Sequence, residues 1–290
     1  MDELKKHQPS LDIEGQISNL EEKGLIINDI DFAKRILNDI SYFRLIKGYS
    51  LEFKPKNGKY NPNTTFEKIL DLYFFDEEMR HELFIIIETI EVNARCRIAN
   101  HISNKYGVHG YLDRSIFKNE EYYDKFMEDV DEEVKRNFRA PFVKNFQNNY
   151  EKRDLPIYAL VEICSFGTLS KLYKNLNNSD KKEIAKAYGI GYTYVESWLE
   201  SISYVRNICA HYGRIYNAKL TKKPMMYKQY SEMDVSNERI FAVLLCMKKL
   251  INDESKWHSF VDRVEALIIR HKSINTKSIG FIDNWLELLK

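Results

Sequence analysis

The chain has 290 residues, 44% hydrophobic and 30% charged, and its 44 basic and 43 acidic side chains leave a formal net charge of +1. Such values exclude an intrinsically disordered chain, which has fewer apolar residues and more uncompensated charge. They leave room for a sizeable buried core, and they require any nucleic-acid affinity to come from uneven placement of charge.

No apolar run approaches the roughly 18 residues that a membrane span needs; the longest, LFIIIETI, is broken by Glu88. The opening MDELKKHQPSLDIEGQ lacks the apolar centre of a signal peptide. Cys96, Cys164, Cys209 and Cys246 are widely spaced with no CxxC pair, so they read as small buried thiols and not as a zinc site or a disulfide framework. A cytoplasmic protein without membrane contact is expected, with no cofactor and no metal.

Helical signals dominate. Residues 1–60 read as an N-terminal helical segment and loop, in which SLEFKPKNGKYNP carries Asn57-Gly58 between Pro55 and Pro62 and forms either a small hairpin or an irregular loop. The remainder, 61–290, reads as a helical bundle, with no linker to mark the boundary. Thr64-Thr65-Phe66-Glu67 has the form of a capping box, with Thr64 as N-cap. Leu83, Ile87, Ile90, Ala94, Ile98 and Ile102 then follow at steps of three and four, one face of a long helix that Gly107 should stop.

EEYYDKFMEDVDEE, residues 120–133, reads as a solvated acidic helix face. Pro156 suits the first turn of PIYALVEICSF, which Gly167 should bend or end. Thr193-Tyr194-Val195-Glu196 repeats the capping-box pattern before Trp198, Leu199, Ile202 and Val205. RIFAVLLCMKKLI and VDRVEALIIR, within 232–290, are helical by periodicity and complete the bundle or form a dimer contact. The fold class expected is all-α.

Chemistry concentrates in VRNICAHYGRIYN, residues 205–217. Arg206 and His211 are five steps apart, about 140° and about 7.5 Å along an ideal helix, so they converge only at a loosened helix end. Gly213 supplies a reason for such an end. Histidine transfers protons near neutral pH, and the arginine fork grips phosphate oxygens. From Ser201 to Ser231 there is no Asp or Glu, so nothing in the run holds a magnesium ion and a metal-independent cleavage of RNA fits. One histidine cannot serve as both base and acid; a symmetric dimer would bring two Arg-His pairs to one groove. The same run holds Arg214, Lys219, Lys222, Lys223 and Lys228 with Tyr212, Tyr216, Tyr227 and Tyr230 between them, cations and rings suited to single-stranded RNA.

Arg95 and His101 make a second match to the spacing, which reads as helix-rim polarity with Glu91 and Arg95 as an i,i+4 ion pair. His81, His109, His258 and His271 stand alone and carry no chemical assignment.

WLESISYVRNICAHYGRIYN resembles the signature of the Abi-like proteins, the AbiD/AbiF group of abortive-infection phage-resistance proteins within the HEPN superfamily of helical-bundle ribonucleases. LEEKGLIINDIDFAKRILNDISYFRLIKGYSLEF, LYFFDEEMRHELFIIIETIEVNARCRIANHI and LPIYALVEICSFGTLSKLY resemble the family's other segments in the same order, covering most of residues 15–220. The resemblance implies a dimeric, metal-independent endoribonuclease leaving a 2′,3′-cyclic phosphate and acting as a toxin in phage defence. Arg206 and His211 would be catalytic, Asn207 the polar position after the arginine, and Arg214 and Asn217 supporting residues. It also implies RNA as substrate and, in some members, a cognate small RNA as restraint. A non-catalytic RNA-binding module and a purely helical interaction protein remain open alternatives.

Overall fold

Helices α1 (Ile13–Glu22) and α2 (Ile30–Asp39) both begin where an aspartate can cap them. Asp12 and Asp29 accept from Gly15 N and Phe32 N, each at 2.8 Å, satisfying a donor that the first helical turn leaves unpaired. The computed structural model describes residues 9–54 and 58–290. Within them follow α3 (Phe66–Tyr106), α4 (Glu120–Arg136), α5 (Pro141–Asn149), α6 (Ile157–Ile163), α7 (Phe166–Asn175), α8 (Asn178–Lys186), α9 (Tyr192–Ala210), α10 (Lys228–Glu232), α11 (Ile240–Leu250), α12 (Glu254–Arg270) and α13 (Trp285–Leu289). No strand occurs among the described residues, only isolated bridges at Ile26–Thr65 and Phe117–Leu176. The fold is all-α.

The chain forms two compact units, residues 1–79 with 266–275, and residues 80–265 with 276–290. The division runs through α3 and α12, so no linker marks it. In the first unit, α1 packs on α2, burying Ile17, Leu20, Ala33 and Leu37. His271, buried, places Nδ1 2.7 Å from Asp71 and Nε2 3.2 Å from Glu78. The hairpin does not form from its leading residues: Leu51–Phe53 is a 3-10 turn. Asn61 N bonds Phe53 O at 2.8 Å, while residues 55–57, Pro55 and Asn57 among them, lie outside the described residues.

In the second unit, α9 packs against α7, α8 and α11, and α4 against α7. The apolar face anticipated along α3 is realised, with Leu83, Ile87, Ile90, Ala94, Ile98 and Ile102 buried. Gly107, at φ 85°, ends that helix. Most of α4 is solvated apart from Phe126, Val130 and Glu133.

Other local expectations fail for identifiable reasons. Lys68 N bonds Thr65 Oγ1 at 3.3 Å, so Thr65 caps α3, while Thr64 donates to Asn61 O and Glu67 accepts from Asn28. Thr193 lies inside α9, whose N-cap is Gly191 without a side-chain bond. Its intended partner Glu196 is taken by Lys181, whose Nζ is 2.6 Å away and fully buried; burial pushes that ammonium down to about 8. Gly167 neither bends nor ends a helix. The break comes earlier, at Cys164, because Ser165 caps α7 by accepting from Thr168 N at 3.0 Å. Cys164, Cys209 and Cys246 are buried as expected, and Cys96 is exposed.

Candidate functional site

Helix α9 ends in a turn whose hydrogen bonds define its shape. Tyr212 N bonds Cys209 O at 3.2 Å and Gly213 N reaches back to Ile208 O at 2.8 Å, the paired bonds of a Schellman ending. His211 is the C-cap, with φ −101° and ψ 18°. The left-handed position belongs to Tyr212, φ 57°, and not to Gly213. Glycine is needed at 213 for another reason: a Cβ there would lie 2.9 Å from Ile208 Cγ2 and 3.2 Å from Ile208 O. Arg80, buried beneath, directs Nη1 to the Gly213 carbonyl at 3.5 Å. Buried Ile215 and Tyr216 then return the chain to the core.

This turn separates the predicted residues by role. His211 and Asn207 are exposed, one helical turn apart, and His211 N bonds Asn207 O at 3.0 Å. Tyr212, 67% exposed, is an aromatic surface beside them. Arg206 faces α3 instead. Its guanidinium carbon lies 5.5 Å from the Phe84 ring centre and its Nε 3.7 Å from Glu91 Oε2. Together with Glu88, Val92 and Arg95 these residues line a depression of about 260 Å³. Glu91 and Arg95 do form the expected i,i+4 ion pair, and Arg95 also donates to the Val161 carbonyl.

Arg214 is half-buried. Asn217, at φ 51°, is held by Arg239, whose Nη1 donates to Asn217 Oδ1 at 3.2 Å and to Ala218 O at 3.0 Å.

The acid-free run meets its counter-charges from outside. Lys219 and Lys223 pair with Glu238 at 2.9 and 2.6 Å, Lys222 with Glu200 at 2.8 Å, and Lys228 with Glu232 at 3.5 Å. The hydrogen bonds from Lys223 and Lys219 pull the Glu238 carboxyl down to about 2. These pairs are solvent-exposed and screened by salt, so each yields readily to a competing anion. Of the four tyrosines proposed to interleave with the cations, Tyr216 and Tyr230 are core residues. Tyr227 stacks in a ring cluster with Tyr194, Trp198 and Tyr230. Met225 ties the backbone of segment 222–227 to α9, with Trp198 Nε1 donating to Met225 O and Met225 N to Ser197 Oγ, both at 2.7 Å.

His101 of the second Arg-His match does not join this site. It lies 2.7 Å from the fully buried carboxylate of Asp180, which also accepts from Lys105 at 2.7 Å and Tyr106 at 3.0 Å. Burial alone would raise the Asp180 carboxyl; bonds from Lys105, His101 and Tyr106 hold it below its ordinary value. Among the described residues no group of three or more His, Cys, Asp or Glu is placed to hold a metal ion.

Phe84 and Glu88 were not legible as parts of this region, because they arrive from the distant α3; Glu200, Glu238 and Arg239 sit just outside the acid-free run and fold back onto it. A family model described as "Abi-like protein" matches residues 35–217, more than half of the chain. The chain belongs to the Abi-like protein family. No curated protein and no solved structure matches. Membership in the Abi-like family points to a part in abortive-infection defence. The matched segment of this Abi-like chain ends at Asn217, so it contains Arg206, Asn207, His211 and Arg214, while Lys219, Lys222, Lys223 and Lys228 lie beyond it. No helix among the described residues is long and apolar enough to cross a membrane.

Proposed function

We propose that this Abi-like protein is a metal-independent endoribonuclease of the HEPN type, a toxin acting on cytoplasmic RNA in abortive infection. One observation carries the reading: within the family-matched segment, an exposed histidine closes the same helix end from which Arg206 lines an open depression. The 2′-hydroxyl loses its proton to a neutral imidazole and attacks the adjacent phosphorus. The 5′-oxygen leaves with a proton from an imidazolium, giving a 2′,3′-cyclic phosphate and a 5′-hydroxyl. Arg206 stabilises the charge that builds on the phosphate oxygens. Two imidazoles in different protonation states are needed, and a homodimer with a composite site supplies them.

Asn207 flanks the reacting groups, and Arg214 and Asn217 support the turn. Tyr212 offers a face for an unpaired base, while Lys219, Lys222, Lys223 and Lys228 exchange their carboxylates for phosphates along the strand. A cognate small RNA would restrain the enzyme by occupying the same cations.

The test is incubation of wild type, His211→Ala and Arg206→Ala with labelled total RNA in EDTA, with end-group analysis of the fragments. Cleavage by wild type alone, leaving cyclic-phosphate ends, is expected. Salt-sensitive RNA binding without cleavage by any of the three would replace this reading with a non-catalytic RNA-binding module.

A further inference from the structure

A catalytic arginine has to be held still and yet keep its donors for the substrate. Arg206 meets both conditions through groups far from it in sequence. The two oxygens of Glu91 are divided: Oε1 takes Arg95 Nη2 and Oε2 faces Arg206 Nε. Arg95 is itself fixed by its bond to the Val161 carbonyl at the end of α6. The carboxylate is thus anchored at one oxygen to a side chain that is anchored to backbone.

Arg206 is guided by this carboxylate and not captured by it. Its Nε is inaccessible to solvent and makes no hydrogen bond, since 3.7 Å from Glu91 exceeds bonding range. The side chain as a whole is 35% exposed. With Nε covered and Phe84 beneath the guanidinium carbon, the terminal Nη fork is the charged part left to face the depression.

From this arrangement we infer that Glu91 is a positioning residue for Arg206, aligning the guanidinium through its Nε edge so that both Nη groups are presented to a phosphate of the RNA. This rests on the ribonuclease reading above. Glu91 touches no reacting atom; it acts through Arg206, and Arg95 acts through Glu91.

Charge and geometry make opposite demands on Glu91, and the test uses that opposition. Replacing it by the near-isosteric Gln removes a negative charge beside the RNA-binding arginine. One additional uncompensated cation steepens the salt dependence of single-strand binding by about 0.7, or about five-fold tighter binding at 0.1 M salt. The same change releases the guanidinium from its alignment, and a misplacement of about 1 Å costs on the order of 100-fold in rate. Glu91→Gln is therefore expected to bind a single-stranded RNA oligonucleotide more tightly while kcat falls ten- to hundred-fold. Arg95→Lys keeps the charge and loses the fork, so kcat falls with RNA affinity unchanged. A merely structural role for Glu91 would weaken binding and turnover together.

The full-length protein is assayed throughout, with thermal melting to confirm folding. Wild-type turnover matched by Glu91→Gln overturns the inference and leaves the ribonuclease reading intact, as does loss of binding alongside turnover in both folded variants. A wild type that cleaves no RNA overturns the ribonuclease reading and this inference with it.

Discussion

Alanine in place of glycine should have opposite signs at two positions in the second unit. At Gly213 the new Cβ meets Ile208 Cγ2 at 2.9 Å and Ile208 O at 3.2 Å. The first is a β-branched methyl fixed in its rotamer by the helix and the second is backbone, so neither can yield cheaply. Overpacking of this kind costs about 1–3 kcal/mol, offset by the roughly 0.4–1 kcal/mol that alanine gains by restricting the unfolded chain. The net is a loss of about 1–2 kcal/mol, or a fall in Tm of about 2–3 °C in a protein of this size. At Gly167, in the first turn of α7, the added Cβ meets only Ser165 Oγ at 3.6 Å, an ordinary contact. There Gly→Ala should raise stability by about 0.5 kcal/mol, somewhat below the interior-helix value. Circular dichroism at 222 nm against temperature measures both. Tm shifts of the same sign, or an unshifted Gly213→Ala, would refute the steric account of the α9 ending. If the ribonuclease reading holds, Gly213→Ala should also lose activity disproportionately, because the displaced turn carries His211.

The buried Asp180 carboxylate makes a pH prediction. Its folded pKa is depressed, so its contribution is complete above the unfolded carboxyl value and is lost as pH falls through the lower folded one; Asp180→Asn should flatten that acid limb in a Tm-against-pH series. The same variant should lower Tm at pH 7, since an amide replaces the buried carboxylate that accepts from His101, Lys105 and Tyr106. Glu238→Gln releases Lys219 and Lys223 and should steepen the salt dependence of RNA binding by up to about 1.4, about 0.7 per lysine, in fluorescence anisotropy; an unchanged slope would remove those lysines from the RNA path. His271→Gln leaves Asp71 and Glu78 without their shared partner and should lower Tm, with denaturant melts as the check.

Periodicity made the face of α3 from Leu83 to Ile102 legible because those residues share one 3.6-residue repeat, whereas nearer its start the helix is buried on opposite sides, at Leu70 and Leu72. Gly107 and the end of α9 near His211 were legible for a similar reason: a helix terminus is a local event. The caps were not, because Thr64 and Thr65 carry the same hydroxyl one position apart, and only backbone geometry selects Thr65. Glu196 fitted a capping box by spacing but was claimed by Lys181, a contact that no local rule anticipates. The basic run was misjudged in a related way. The absence of acid along residues 201–231 is a fact about the chain, whereas Glu200, Glu232 and Glu238 border it on either side and fold back onto it. Composition likewise could not separate Tyr216 and Tyr230, which fill the core, from Tyr212, which does not.

The bond from Arg239 to Asn217 bears on where this protein can be cut. Asn217 is the last residue of the family-matched stretch, and the donor that holds its left-handed backbone comes from beyond it. Immediately after Arg239, α11 is buried along nearly its whole length and packs on α9. A chain truncated at 217 would keep the signature residues yet expose the flank of the helix that carries them to water. The segment by which the family is recognised is therefore not self-sufficient as a folding unit, and fragments ending there should aggregate where the full chain does not.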